Sequence, residues 1–237
     1  MSSIRFPIAL FALLACSVFA QEDDLFESAK LEAEEFMNDV LEKYLPTSLA
    51  QDEYPMKNFS CYIPRDLLLG FFPTHRDIRA TFSSGTYGGV DALKTLNCRP
   101  SAEEPMNGVS LTCTMVLEQL RVKYQADVTG FDLKGTHSSK LVTAKVKHLY
   151  TVTMTQSLPE RPKIAEILPL ITRTFDLEVG TFGFNSARRA RLLQCVDSGI
   201  RRELKKALEA DLLRLLGDAL SRSDRDLPEP HLESDQS

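Results

Sequence analysis

The chain has 237 residues, with 28 basic and 33 acidic side chains, and its formal net charge at pH 7 is −5. A globally acidic chain is a poor binder of nucleic acid, because phosphates attract basic surfaces. Tryptophan is absent, which argues against folds built around a buried Trp.

Residues 1–20 have the pattern of a secretory signal peptide. Arg5 supplies a short basic start, residues 6–16 form an apolar run, and residues 17–20 suit cleavage after Ala20. The apolar run is too short to span a bilayer. We therefore expect a secreted, extracellular protein without a transmembrane segment, folded as a single domain over residues 21–222.

Residues 23–45 are predicted to form a first amphipathic helix. Acidic side chains stand at its start, where the helix dipole favours them, and Pro46 is expected to end it. Residues 47–77 are predicted to be a connecting region, with a possible helical turn at residues 67–72. The apolar face of the helix comprises Phe26, Ala29, Ala33, Phe36, Met37, Val40 and Tyr44.

Four cysteines remain after residue 20, and an even count in a secreted chain predicts two disulfides. Three pairings are possible. We favour Cys98–Cys113, because these residues flank a polar loop between strand-like segments, and this leaves Cys61–Cys195. No C-x-x-C or Cys/His cluster is present, so we expect no metal site.

The sequon at residues 58–60 predicts glycosylation of Asn58 on a solvent-facing loop.

From about residue 77 the apolar spacing changes to two, which is typical of half-buried strands. Strands are predicted over residues 77–97, 109–128, 139–157 and 171–184. Glycines in the first segment suggest a bend, and the alternation in the second changes phase between Leu117 and Leu120, as a β-bulge produces. Pro159 and Pro162 interrupt the pattern before the final strand.

Residues 185–221 are predicted to form one long amphipathic helix, about 55 Å in length at 1.5 Å per residue. The strand at residues 139–157 would reach about 60 Å. We therefore expect an α+β fold in which a long, curved antiparallel sheet wraps around this helix. The charged residues 223–237 are expected to be disordered. The apolar stripe of the helix comprises Leu192, Leu193, Val196, Ile200, Leu204, Leu208, Leu212, Leu215, Leu216 and Leu220.

This order of elements resembles the half-barrel (super-roll) module of the tubular lipid-binding superfamily, and within it the group 7 mite allergens and similar secreted arthropod proteins. The resemblance lies in residues 87–94, residues 122–126 and the final strand with the helix at residues 188–220. It implies a lipid or other hydrophobic ligand and no cofactor. The related juvenile-hormone-binding and takeout-like proteins carry an N-terminal cysteine pair, whereas this chain has no cysteine between residue 20 and Cys61.

Catalytic motifs are not apparent in the sequence. There is no G-x-S-x-G elbow, and the glycines at residues 85–89 lack the Lys-Ser/Thr of a phosphate-binding loop. The four histidines, among them His148, lack an obvious nucleophile or acid partner and are interpreted as surface residues. We therefore predict that the protein is not an enzyme and has no catalytic residues.

Basic residues are concentrated in the first half of the long helix. Arg201, Arg202 and Lys205 could bind anionic lipid headgroups or the phosphates of a bacterial glycolipid. The alternative is a solvated face whose charges pair with neighbouring acids, which is the usual meaning of a charge run.

The sequence thus predicts a secreted, non-catalytic protein that holds a hydrophobic ligand between the sheet and the long helix. The alternative function is an interaction protein that binds a host or microbial surface component and holds no lipid. The candidate groove residues, which could equally be ordinary core, are Val122, Tyr124, Val146, Tyr150, Val152, Phe175, Val196, Ile200, Leu204 and Leu208.

Overall fold

The structure is a computed structural model. It describes residues 27–49, 51–65, 67–68, 72–73, 76–103, 108–130, 137–157, 159–180 and 182–230. The predicted signal peptide and residues 231–237 of the predicted tail lie outside these ranges.

The predicted N-terminal helix is confirmed, but Pro46 does not end it. Residues 27–39 are α-helical (α1), Val40–Tyr44 form a π-helical turn, and Leu45–Ser48 continue as α2. In the wider turn the Leu45 N–H donates to the Val40 carbonyl oxygen. Pro46 then stands in the first turn of α2, where proline is tolerated.

The predicted connecting region contains strands, so that prediction is wrong. Strand β1 (Glu53–Met56) and strand β2 (Phe59–Ile63) alternate between exposed and buried positions. The short strands β3 (Leu67–Leu68) and β4 (Phe72–Pro73) pair with each other in place of the suggested helical turn. Pro55 does not exclude a strand, because β1 lies at the edge of the sheet, where proline is tolerated.

One antiparallel sheet of seven strands carries the fold. Strand β8 (Ser138–Ser157) pairs along the length of β7 (Gly108–Thr129), and β9 (Lys163–Val179) pairs with the other edge of β8. The first half of β7 pairs with β6 (Leu93–Glu103), and its second half pairs with β5 (Ile78–Gly88). Strands β1 and β2 in turn share one edge of β5.

The predicted irregularities in the strands are confirmed. The pairing of β7 with β8 shifts between Leu117 and Leu120, and β5 shifts between Ser83 and Thr86. The last strand is misplaced in the prediction, because β9 begins at Lys163 and ends at Val179. Its positions are at most half-buried, and three register shifts in its pairing with β8 blur the alternation that marks a strand in sequence.

The long helix α3 (Ser186–Arg222) has the predicted bounds within one residue. The Asn185 side-chain oxygen caps it by accepting from the Arg188 N–H at 2.9 Å. Nine of the ten residues of its predicted apolar stripe are buried and form a single core with α1 and the inner sheet face, whereas Leu193 is only half-buried. Both predicted disulfides are present: Cys61–Cys195 joins β2 to α3, and Cys98–Cys113 joins β6 to β7.

The prediction of a disordered tail is wrong for residues 223–230. Leu227 is 3% exposed, and its N–H donates to the Gln156 side-chain oxygen at 2.6 Å. Asp226 accepts from the amide of Gln156, and Arg225 pairs with Asp39 at 3.0 Å. One apolar side chain and three polar contacts therefore anchor this charged segment.

Candidate ligand-binding site

The predicted groove residues lie at the interface between α3 and the inner sheet face, with one exception. Nine of them are 0–1% exposed, so a water-sized sphere reaches almost none of their surface, from outside or from an internal cavity. In this structure the helix and the sheet therefore fill the space between them, and a ligand there would have to separate them. The nine are Val122, Tyr124, Val146, Tyr150, Val152, Val196, Ile200, Leu204 and Leu208.

Phe175 is the exception, and its assignment to the groove is wrong. It is 40% exposed and pairs with Lys145 on the outer sheet face. The extra residue that β9 carries beside Asp176, whose φ is +52°, reverses the alternation between Leu177 and Phe175. A one-residue slip turns a side chain to the opposite face of a sheet.

A cavity of about 190 Å³ that is partly open to solvent lies where the end of β9 meets the start of α3. Arg189, which is exposed, places a positive charge among its lining residues. A cavity of about 150 Å³ with aliphatic and aromatic walls is large enough to bind benzene. The apolar side chains that line it are Val179, Phe182, Phe184, Leu192 and Leu193.

Buried Arg188 fixes one wall of this end cavity. Its guanidinium donates to the carbonyl oxygens of Arg76 at 2.6 Å and Gly130 at 3.3 Å, which ties the start of α3 to the ends of β5 and β7. The guanidinium carbon also lies 5.6 Å from the centroid of the Phe184 ring. Phe184 is therefore held in place as part of the wall.

The predicted basic patch on α3 is paired with acids of the same helix. Arg201 lies 2.7 Å from Asp197, Arg202 lies 2.6 Å from Glu203, and Lys205 lies 3.9 Å from Glu209. These pairs compensate much of the positive charge. Binding of anionic lipid at this patch stays a prediction, as does glycosylation of Asn58, whose side chain is exposed.

His148 is buried, which contradicts its interpretation as a surface residue. Its ring stacks on Tyr150 with 4.1 Å between ring centroids, and its Nδ1 lies 2.8 Å from the Thr172 hydroxyl. Burial, together with the charge of Lys205, lowers the pKa of His148 to about 4, so the imidazole is neutral at pH 7. The sequence carried the signal, because His148 is in phase with buried Val146 and Tyr150.

Over the described ranges of the chain, no group of three or more His, Cys, Asp or Glu side chains is placed to hold a metal ion. No helix in the same ranges combines the length and the apolar character needed to cross a bilayer.

The architecture is thus that of an α+β protein in which a long curved antiparallel sheet packs on a long C-terminal helix. No protein-family model matches the chain, and no curated protein matches it either. Among solved structures it is similar to Takeout 1 of Epiphyas postvittana, with 12% identity, a TM-score of 0.41 and coverage of 82% of this chain and 94% of that one.

It is also similar to a lipopolysaccharide binding protein, with 14% identity and a TM-score of 0.35. That alignment covers 79% of this chain but 40% of the other, so the chain spans less than half of that protein. At these identities and scores, neither likeness carries weight for family or function. Membership of the group 7 allergens stays a prediction.

Proposed function

We propose that this protein is secreted and binds a small hydrophobic molecule without catalysing a reaction. The observation that carries the proposal is the end cavity at the junction of β9 and α3, which is lined mainly by apolar side chains. Leu192 lines this cavity and lies one helical turn from Val196, which belongs to the helix–sheet interface. The cavity therefore adjoins the long apolar interface in which the groove was predicted.

The size of the cavity sets how much of a ligand it can hold. Six methylenes buried there would contribute about 5 kcal/mol at about 0.8 kcal/mol each. Before the entropic cost of binding, this corresponds to a dissociation constant somewhat below 1 mM, on the scale where 1 mM equals about 4.1 kcal/mol. Micromolar binding needs about 8.2 kcal/mol, so about four further methylenes must enter the helix–sheet interface.

Filling the cavity tests the proposal. We expect Leu193→Trp to weaken binding of the fluorescent apolar probe N-phenyl-1-naphthylamine at least tenfold, because the indole would occupy the space that the probe needs. Titration of probe fluorescence in the full chain measures the effect. Leu213→Trp is the matched control, because Leu213 lies on the same helix, is 50% exposed and does not line the cavity.

The natural chain contains no tryptophan, so the single indole of each variant also reports on folding. Two results would contradict the proposal: no probe binding by the unmodified protein, or equal binding by both variants.

A second candidate function is surface interaction, and the exposed apolar side chains of β9 favour it. Leu168, Leu170 and Ile171 are 46–53% exposed, while Pro169 and the register shifts of β9 hinder strand-to-strand pairing along this edge. Solvent extraction of the purified protein followed by mass spectrometry separates the two functions. Stoichiometric lipid supports ligand binding, and a consistently empty protein that takes up no probe supports surface interaction.

A further inference from the structure

We infer that His148 and Tyr150 form a polar subsite for the head of the ligand, and that the ligand is a long-chain carboxylate. The inference rests on the proposed function and adds a ligand class and an orientation. It starts from two polar atoms inside the apolar interface. Both residues are 0% exposed, and neither the His148 Nε2 nor the Tyr150 hydroxyl has a hydrogen-bond partner within the part of the chain described.

Unpaired polar atoms at such depth are rare, since buried polar groups in folded proteins almost always have a partner. These two belong to alternate residues of β8, point from the same sheet face and sit on stacked rings. Other buried tyrosines of this face are satisfied: the Tyr124 hydroxyl donates to the Lys57 carbonyl oxygen at 2.8 Å, and the Tyr87 hydroxyl donates to Asp211 at 2.5 Å. The buried hydroxyl of Tyr54 on β1 also lacks a partner within the described residues, so what distinguishes His148 and Tyr150 is that their two unpaired atoms belong to rings stacked on each other.

The two unpaired atoms of His148 and Tyr150 can both donate hydrogen bonds, so the ligand group that fits them is an oxygen acceptor. When the Thr172 hydroxyl donates to Nδ1 of His148, the proton of the neutral imidazole is on Nε2. Nε2–H and the Tyr150 O–H are then two donors that one carboxylate can accept. Lys205 adds positive potential near the imidazole, while Glu209, its ion-pair partner 3.9 Å away, lies near Tyr150.

A ligand would reach this subsite between helix α3 and the edge strand β9. Thr172 and Thr174 of β9 are only half-buried there, and the Arg201 guanidinium donates to the Thr174 hydroxyl at 3.3 Å. The pairing of β8 with β9 also shifts beside Tyr150, where β9 carries an extra residue. Strand β9 pairs with the sheet along one edge only, so moving it away from α3 disturbs fewer strand pairings than moving β7, which pairs with strands on both edges.

The distance from the subsite to the end cavity matches an extended acyl chain. Val142 pairs with Val179 at the cavity, and six residues of β8 separate it from His148, which spans about 20 Å at 3.3 Å per residue. On α3, Leu192 and Lys205 are separated by a similar length at 1.5 Å per residue. A long-chain carboxylate with its head at His148 and Tyr150 would thus place its tail in the end cavity.

The test compares two probes with and without a carboxylate. We expect Tyr150→Phe to weaken binding of cis-parinaric acid about tenfold and to leave N-phenyl-1-naphthylamine unchanged, with His148→Leu as a second variant of the same subsite. Tyr87→Phe is the matched control, because it removes a buried hydroxyl that already has a partner at a residue outside the predicted groove, and it should change the affinity of neither probe.

The outcomes separate the two proposals. If the unmodified protein binds neither probe, the proposed function fails. If it binds both probes and the variants at residues 148 and 150 leave the ratio of the two affinities unchanged, the subsite is wrong and ligand binding stands. A Tyr150→Phe variant that is less stable without ligand and keeps this ratio would show that an internal water occupies the subsite. A changed ratio supports the subsite.

Discussion

Replacing Cys61 and Cys195 together with alanine is expected to lower the free energy of unfolding by about 5 kcal/mol. The disulfide closes a loop with a sequence separation of 134, and in the chain-entropy model the stabilisation grows with the logarithm of the loop length. The same model gives about 3 kcal/mol for Cys98–Cys113, whose separation is 15. Urea unfolding of the two double variants measures the difference.

The two double variants remove the same atoms, and the difference in burial between the two disulfides acts against the expected result. Both variants lose two sulfur atoms, and Cys98 and Cys113 are each 0% exposed, whereas Cys195 is only half-buried. Packing alone would therefore make the Cys98–Cys113 variant the less stable one. Equal losses, or a larger loss for Cys98–Cys113, would show that loop closure in the unfolded chain is not what the Cys61–Cys195 bond contributes.

The sequence was most informative where one face of an element is continuously buried. Leu204 and Leu208 of α3 stand on a stripe with helical spacing, and the slip between Leu117 and Leu120 marks a bulge that the structure contains. Such patterns are legible because burial forces the same periodicity over many residues. The bounds of α3 and the long sheet could be predicted for this reason, whereas the disulfides were predicted from the even number of cysteines and from the position of Cys98 and Cys113 beside a loop.

The errors fall where few or irregular contacts decide the structure. Phe175 is turned outward by one extra residue in β9, and Leu227 is held by a few contacts in a charged segment. Neither the extra residue in β9 nor the contacts of Leu227 produce a periodic pattern in the sequence. The end cavity could not be predicted either, because it depends on how the chain between β9 and α3 turns at Gly183, where φ is +70°.

Gly199 is expected to be needed for the close approach of α3 to the sheet, and alanine there should destabilise the protein. A Cβ at this position would overlap the ring of Phe59. That ring cannot move aside easily, because it stacks on Phe82 at 4.5 Å and meets Tyr124 edge-on at 5.0 Å. Overpacking of this kind costs about 1–3 kcal/mol. Chemical denaturation measures the change in the free energy of unfolding.

Gly217 of the same helix provides the control. A Cβ there meets nothing within 4 Å, so Gly217→Ala should stabilise the protein by up to about 1 kcal/mol through helix propensity. The same propensity gain applies at Gly199, and the difference between the two variants therefore isolates the contact with Phe59. If Gly199→Ala were as stable as Gly217→Ala, α3 could not lie as close to β2 as the structure places it. The position of α3 against β9 and at the end cavity would then also be wrong.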